Sequence, residues 1–252
     1  MDLTLEPWHY AMLALAGAAS GWVNVIAGGG SLLTVPIMIF LGLPGPVANG
    51  TNRIAIIAQN IAAVGSFFRE GFSDFRLSAS LAASACVGAY FGAKVGVTLE
   101  GVWFNRALAL IMIGVMVIMA TGADKIEAGE GDGRPRNVAL GHALMVGAGF
   151  WGGFIQVAVG FLLMPILYRV MGLDLVRVNM HKVFIALMFS CVALFVFASS
   201  VGVMWRAGLA LALGNAIGGF FGARATIVKG APFIKRVLFL VIGAMAVKLL
   251  FF

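Results

Sequence analysis

Charge is what this chain has least of. Of its 252 residues 11% are charged, 17 as Lys or Arg and only 10 as Asp or Glu, and residues 7–52, 137–168, 183–205 and 207–223 carry no formal charge at all. Stretches of that kind are long enough to cross a bilayer, which takes about 20 apolar residues. A hydrophobic content of 62% and a mean hydropathy of +1.03 exceed what a soluble domain of this size uses. Because hydrocarbon offers no partner for a bare N–H or C=O, the stretches must be helical wherever they meet lipid. The expected class is an all-α, polytopic integral membrane protein.

Other scarcities exclude chemistry. The three histidines, His9, His142 and His181, are dispersed, and the apolar stretches hold almost no acids. Neither an HExxH pair, nor two facing carboxylates, nor a Ser/His arrangement can be assembled within them, so an embedded enzyme, a bound metal and a cofactor are all set aside. The phosphate loop GXXXXGK[ST] does not occur, which removes ATP-driven pumping by this chain alone. Cys86 and Cys191 each sit in an apolar run and read as small core hydrophobes. The net charge of +7 comes from cations scattered singly between apolar runs. They read as topology signals rather than as a nucleic-acid patch. Asp2 and Glu6 precede the first run in place of a basic leader, so that run is expected to be a retained span.

What the chain does have is self-similarity. VGAYFGAK at 87–94 matches IGGFFGAR at 217–224 at an offset of 130, shared by Arg76 with Arg206 and by Asn49 with Asn179. LLTVP at 32–36 and FLLMP at 161–165 align at 129, a slip of one residue. The reading is a duplication: a first half over 1–121, a charged connection over 122–137 and a second half over 138–252. There are about eight apolar regions, four per half, and the first of each half is overlong. Residues 9–43 as one helix would extend about 52 Å, beyond the roughly 30 Å hydrocarbon core. Each overlong region is therefore either strongly tilted or broken, and breaking both gives ten helical pieces. Single crossings make the halves parallel and split the 17 cations 10 to 7, whereas broken regions make the repeats inverted and split them 12 to 5 with 122–137 in the cytoplasm. The positive-inside rule favours inverted repeats.

The candidate site follows from the first break. VIAGGGSLLTVP at 25–36 places Gly28, Gly29 and Gly30 ahead of Ser31. Each glycine costs about 1 kcal/mol in a helix relative to alanine, so they mark a place where the backbone turns and approaches a ligand. With Ser31 as N-cap, the bare amides of the second piece form an anion cradle. The equivalent stretch keeps Gly160 and adds Gln156. A second constellation, Asn49, Gly50, Thr51 and Arg53, is matched in the other half by Asn179, His181 and Lys182. A cation inside a span costs about 2.5 to 3.5 kcal/mol. Arg53 and Lys182 therefore either snorkel to the interface or, with His181, supply charge to an anionic solute. His181 is also able to titrate and couple transport to protons. Asn24 lies one turn from the glycines, and Trp22 and Trp151, at matching depth, are candidate pocket walls or plain packing.

These residues also carry a resemblance. GWVNVIAGGGSLLTVPIMIFLGLP, the helix start ANGTNR, GAYFGAK and its echo GGFFGAR, in that order, resemble the sulfite exporter TauE/SafE family, also called the toluene sulfonate uptake permeases. The resemblance implies secondary transport of sulfur-containing anions, of the sulfite, sulfonate or sulfoacetate type, across a bacterial inner membrane. It also implies a binding region at Gly28–Ser31 and Asn49–Thr51. The second half departs from that pattern, with VAVG for a glycine cluster and NMHK for a second GT signature, which argues against symmetric binding. The expected partners are a small anionic solute and the lipid bilayer. A coupling proton or ion and assembly into an oligomer are both compatible with the chain. An anion channel and a non-transporting membrane subunit are the competing functions; the few polar residues in the runs make a permanent pore difficult to line.

Overall fold

The computed structural model describes residues 6–27, 30–71, 74–99, 101–121, 135–229 and 242–250. Every regular element among them is a helix. In chain order they are α1 (Pro7–Ala27), α2 (Ser31–Phe40), α3 (Gly45–Arg69), α4 (Phe75–Thr98), α5 (Gly101–Thr121), α6 (Val138–Phe154), α7 (Gly160–Pro165), α8 (Leu175–Ser200) and α9 (Trp205–Lys229). A π-helical turn, Ile166–Val170, continues α7, and residues 242–250 are helical. By length and apolarity alone α4, α5 and α8 are each able to cross a membrane.

Both overlong regions are broken, which disposes of the tilted-rod alternative. Between α1 and α2 the chain comes back on itself. A Cβ added to Gly30 would lie 2.6 Å from Ser20 Oγ and 2.9 Å from the Asn24 Cβ, although Ser20 sits about 10 Å back along α1 from its end at Ala27. Only a chain that has already reversed direction brings Gly30 beside Ser20. The second break, between α6 and α7, is built differently. Gln156 and Ala158 take φ of 61° and 60°, the left-handed region that costs a non-glycine residue about 1 to 2 kcal/mol. The strain is offset locally. Ile155 N–H and Gln156 N–H both donate to Trp151 O, at 3.1 and 3.2 Å, and Trp151 Nε1–H donates to Val157 O at 3.0 Å.

Ala158→Gly relieves the left-handed strain without removing a side-chain hydrogen bond, so it is expected to raise stability by about 1 kcal/mol. The measurement is the thermal midpoint of the detergent-solubilised protein, and an unchanged or lowered midpoint contradicts the account of this turn.

The two returning pieces end alike. After α2, Gly42 (φ 92°) follows Leu41, and Leu43 N–H donates to Met38 O at 3.1 Å. After the π turn, Gly172 (φ 71°) follows Met171, and Leu173 N–H donates to Leu167 O at 3.2 Å. In both, glycine supplies the positive φ that lets the chain leave the helix while the last carbonyls stay bonded. Pro36 and Pro165 stand 129 apart, Gly42 and Gly172 stand 130 apart, and the π turn lies between Pro165 and Gly172. An i→i+5 turn holds one residue more than an α turn, so the one-residue slip noted in the sequence falls where the helix is widened to absorb it.

The chain packs as two compact units, each drawing helices from both sides of residues 122–137. One comprises α1, α2, the first part of α3, α5, α9 and residues 242–250; the other comprises the rest of α3, α4, α6, α7, the π turn and α8. Both use glycine to bring backbones together, the usual device where lipid offers no hydrophobic drive for helix pairing. In the first unit Gly17 and Gly21 of α1 lie against the backbone of Leu211 and Asn215 of α9, and Gly214 and Gly218 of α9 against Ala14 and Ala18 of α1. In the second, Gly88 and Gly92 of α4 meet the backbone of Val146 and Phe150 of α6, while Gly149 and Gly153 of α6 meet Ala85 and Ala89 of α4. Leu81, Met145, Leu163, Leu167, Ile185 and Phe189 fill the core beside that second seam.

Candidate functional site

In the first unit the polar residues gather on α2 and the start of α3. Gly28 and Gly29, the centre of the expected cradle, lie outside the described residues. Gly30 is buried, and its N–H reaches Asn24 Oδ1 at 3.5 Å, which ties the returning chain to α1. The cap position falls to Gly30 and not to Ser31. Gly30 has helical angles, φ −57° and ψ −39°, no side chain caps the helix, and half-buried Ser31 is its first residue. The chain reaches the start of α2 already coiled, so the serine hydroxyl falls one position too late to cap. Trp22, on α1, is half-buried.

About one turn into α3 a patch of buried polarity begins. Asn49, Thr51 and Arg53 are all 0% exposed and Asn52 is 2% exposed; Gly50 between them is buried too. Residues 49, 52 and 53 share a helix face by their i, i+3, i+4 spacing. Burial of the Arg53 side chain rules out snorkelling for it. Thr51 is occupied otherwise: its Oγ1 accepts the Met204 N–H at 3.0 Å, just ahead of α9. Thr34 of α2 donates its hydroxyl proton to Asn52 Oδ1 at 2.7 Å. That contact sets the amide's orientation and leaves Asn52 Nδ2 buried with no hydrogen-bond partner among the described residues. A buried donor left unpaired costs about 1 to 3 kcal/mol.

In the second unit the polar groups are spread over three places. Gln156, 3% exposed, donates from Nε2 to Ser190 Oγ at 2.9 Å. The backbone carbonyls of Ile155, Gln156, Val157 and Ala158 around it all accept hydrogen bonds within the break. Half-buried Gly160 begins α7. Trp151 serves here as the clamp across the break. On α8, Lys182 Nζ donates to Asn179 Oδ1 at 2.7 Å, and Asn179 Nδ2 donates to Leu175 O at 3.0 Å. Asp174, the acid nearest that helix start, caps α8 by accepting the N–H groups of Val176 and Arg177 at 3.0 Å each, and pairs with Arg177 at 3.3 Å. His181 is 0% exposed, and its Nδ1 lies 2.7 Å from Ser78 Oγ of α4.

The structure thus joins Asn24 to Gly30 and Asn179 to Lys182, both pairs among the expected residues. Elsewhere it joins expected residues to unexpected ones. Thr34, Asn52, Ser78 and Ser190 complete these groups and were not singled out beforehand. Asn52 lies within ANGTNR and was legible as polar, whereas Thr34, Ser78 and Ser190 are small hydroxyls whose partners lie 18, 103 and 34 residues away along the chain.

A helical chain with two segments broken inside apolar runs, and with a buried cation beside an amide that has no hydrogen-bond partner among the described residues, has the make-up of a multi-pass membrane protein. Residues 13–249 match the family described as "Sulfite exporter TauE/SafE", and the chain belongs to that family of membrane transporters. Among curated relatives it is 27% identical to "Probable membrane transporter protein ORF9" of Sinorhizobium sp, over 95% of this chain and 92% of that one. It is 25% identical to "Probable membrane transporter protein YfcA" of Escherichia coli strain K12, over 98% of this chain and 91% of that one. To "Probable membrane transporter protein YunE" of Bacillus subtilis strain 168 it is 25% identical, over 93% and 96%. No solved structure matches the chain.

Proposed function

We propose that the protein is a secondary transporter of sulfur-containing anions, of the sulfite, sulfonate or sulfoacetate type, working by alternating access in a bacterial inner membrane. The observation that carries the reading is the Asn52 amide: a buried donor, held by Thr34, with no acceptor among the described residues, on the same face of α3 as the buried Arg53. Donors and a cation in a low-dielectric setting suit an oxyanion, whose oxygens accept several hydrogen bonds at once. Asn49 shares that face, and the start of α2, with Ser31, adds the positive end of a helix dipole.

Two measurements test this. Purified protein is screened by thermal shift against sulfite, sulfate, thiosulfate, taurine, isethionate and sulfoacetate, where binding to the folded state alone raises the midpoint. Vesicles then distinguish mechanisms: saturable uptake with counterflow is expected, non-saturating flux without counterflow identifies a channel, and no shift or flux with any of the six leaves a non-transporting subunit. Removing the amide while sparing the cation, Asn52→Ala, is expected to weaken the best-bound anion by about 10- to 100-fold, the value of one hydrogen bond to a charged group. Titration by thermal shift reads the change.

A further inference from the structure

The second unit holds another orphan. His181 Nε2 is buried and has no hydrogen-bond partner among the described residues, while Nδ1 of the same ring is held at 2.7 Å by Ser78 Oγ. We propose that His181 is the proton-binding group of this transporter, taking up and releasing one proton at Nε2 in each cycle. This rests on the reading of the chain as an anion transporter and adds to it the coupling ion and the atom that carries it.

A neutral imidazole has one N–H and one bare nitrogen. Ser78 Oγ can accept the Nδ1–H, and in that tautomer the unpaired atom is the Nε2 lone pair, the group that accepts a proton. Protonation leaves the Ser78 bond in place and gives the ring one positive charge, and loss of the same proton from Nε2 restores the starting state. Ser78 Oγ, which can accept the Nδ1–H in the neutral and in the charged ring alike, thus holds the ring's orientation in both forms. Histidine is the side chain whose unperturbed range, near 6.5, straddles neutral pH.

The surroundings supply a way in. Ser78 lies in the first turn of α4, and Asp74, which precedes that helix and accepts the Leu77 N–H at 3.3 Å, sits about one turn nearer the helix start. Asp174 caps α8 and lies seven residues ahead of His181. Asp74 and Asp174 are half-buried at the heads of the two helices, and together with the exposed Arg177 they are the charges whose fields reach the ring. Lys182 follows on α8 but is bonded to Asn179. The packed segment α7 carries no titratable side chain, and Arg169 of the π turn is exposed. His181 is the only buried imidazole among the described residues, and one carboxylate stands at the head of each of the two helices that meet at the His181–Ser78 contact. Coupling to the anion needs no contact between the two sites. Each ligand only has to bias the same conformational equilibrium, and the effect is reciprocal.

The test uses the full chain in proteoliposomes loaded with the pH dye pyranine, with radiolabelled isethionate as solute, reading protons moved per anion moved. The wild-type protein is expected to move one proton per isethionate and to accumulate it about tenfold per unit of imposed pH gradient. His181→Gln, which can still bond Ser78, is expected to move isethionate without protons, so that the ratio falls to zero whatever the residual rate. A ratio of one in that variant, or a wild-type flux indifferent to the gradient, overturns the proposal and leaves the transporter reading standing. Absence of saturable counterflow in the wild type with isethionate and with each of the other five anions overturns both. Where His181→Gln does not fold or moves nothing, Ser78→Ala decides: it keeps the imidazole, so displacement of the pH profile of uptake supports the proposal and an unmoved profile overturns it.

Discussion

Gly149→Leu is expected to leave no folded protein, while Gly147→Leu, two residues away on α6, is expected to match the wild type. At Gly149 an added Cβ meets the Ala85 carbonyl oxygen and lies 2.7 Å from the Ala85 Cα, and at Gly153, the next small position on that face, it lies 2.6 Å from the Ala89 Cα. These are backbone atoms, so no rotamer change makes room and α4 and α6 must part. Inserting bulk into a close-packed core costs about 1 to 3 kcal/mol and more where nothing yields, against a total stability of about 5 to 15 kcal/mol. At Gly147 nothing lies within 4 Å and the position is exposed, so leucine returns some of the helix propensity that glycine forfeits. Size-exclusion profiles and limited proteolysis after extraction check the pair. A monodisperse, protease-resistant Gly149→Leu protein contradicts the seam.

The contrast between those two glycines marks what the sequence could and could not show. Both stand in an apolar run, and nothing local distinguishes the one that touches a carbonyl from the one that faces outward. The helices were legible because hydrocarbon enforces them, and the break before α2 was legible because residues 9–43 exceed the bilayer. The slip from 129 to 130 was visible as a number, but a π turn is one of several ways to absorb a residue, and only coordinates show which is used. The second break was less readable still. Left-handed φ is expected at glycine, yet it falls on Gln156 and Ala158, where the Trp151 hydrogen bonds hold it.

The site divides in the same way. That Asn49, Thr51 and Arg53 place polar groups inside an apolar helix was legible, and the structure buries all three. Which of them is committed elsewhere was not: the hydroxyl of Thr51 is taken by Met204 N–H, 153 residues away. His181 was conspicuous as the one histidine in the stretch aligned with NGTNR at the offset of 130, but Ser78, 103 residues earlier, was not. Tertiary partners of small hydroxyls leave no periodic trace, because a lone serine or threonine satisfies its own helix almost as well as a neighbour.

Arg53→Met is expected to abolish anion binding, with Arg53→Lys intermediate. The Arg53 side chain is 0% exposed, so its charge acts in a medium where truncating one member of a desolvated, hydrogen-bonded charge pair costs about 2 to 5 kcal/mol. Affinity should fall at least about 30-fold, more than for Asn52→Ala, because a whole charge is lost and not one donor. Lysine keeps the charge but replaces a planar fork of five donors by a point charge on a flexible stem, so it restores attraction without two-point recognition of an oxyanion. Methionine fills much of the same volume and also removes the cost of holding a guanidinium out of water. The midpoint without anion then reports the loss of Arg53's own contacts in the fold, and the anion-induced rise reports binding, which separates loss of binding from loss of fold. Thermal-shift titrations of the three proteins against the best-bound anion measure both quantities together. Equal affinity in wild type and Arg53→Met removes the anion site from α3, and a midpoint collapsing together with affinity assigns Arg53 to the scaffold.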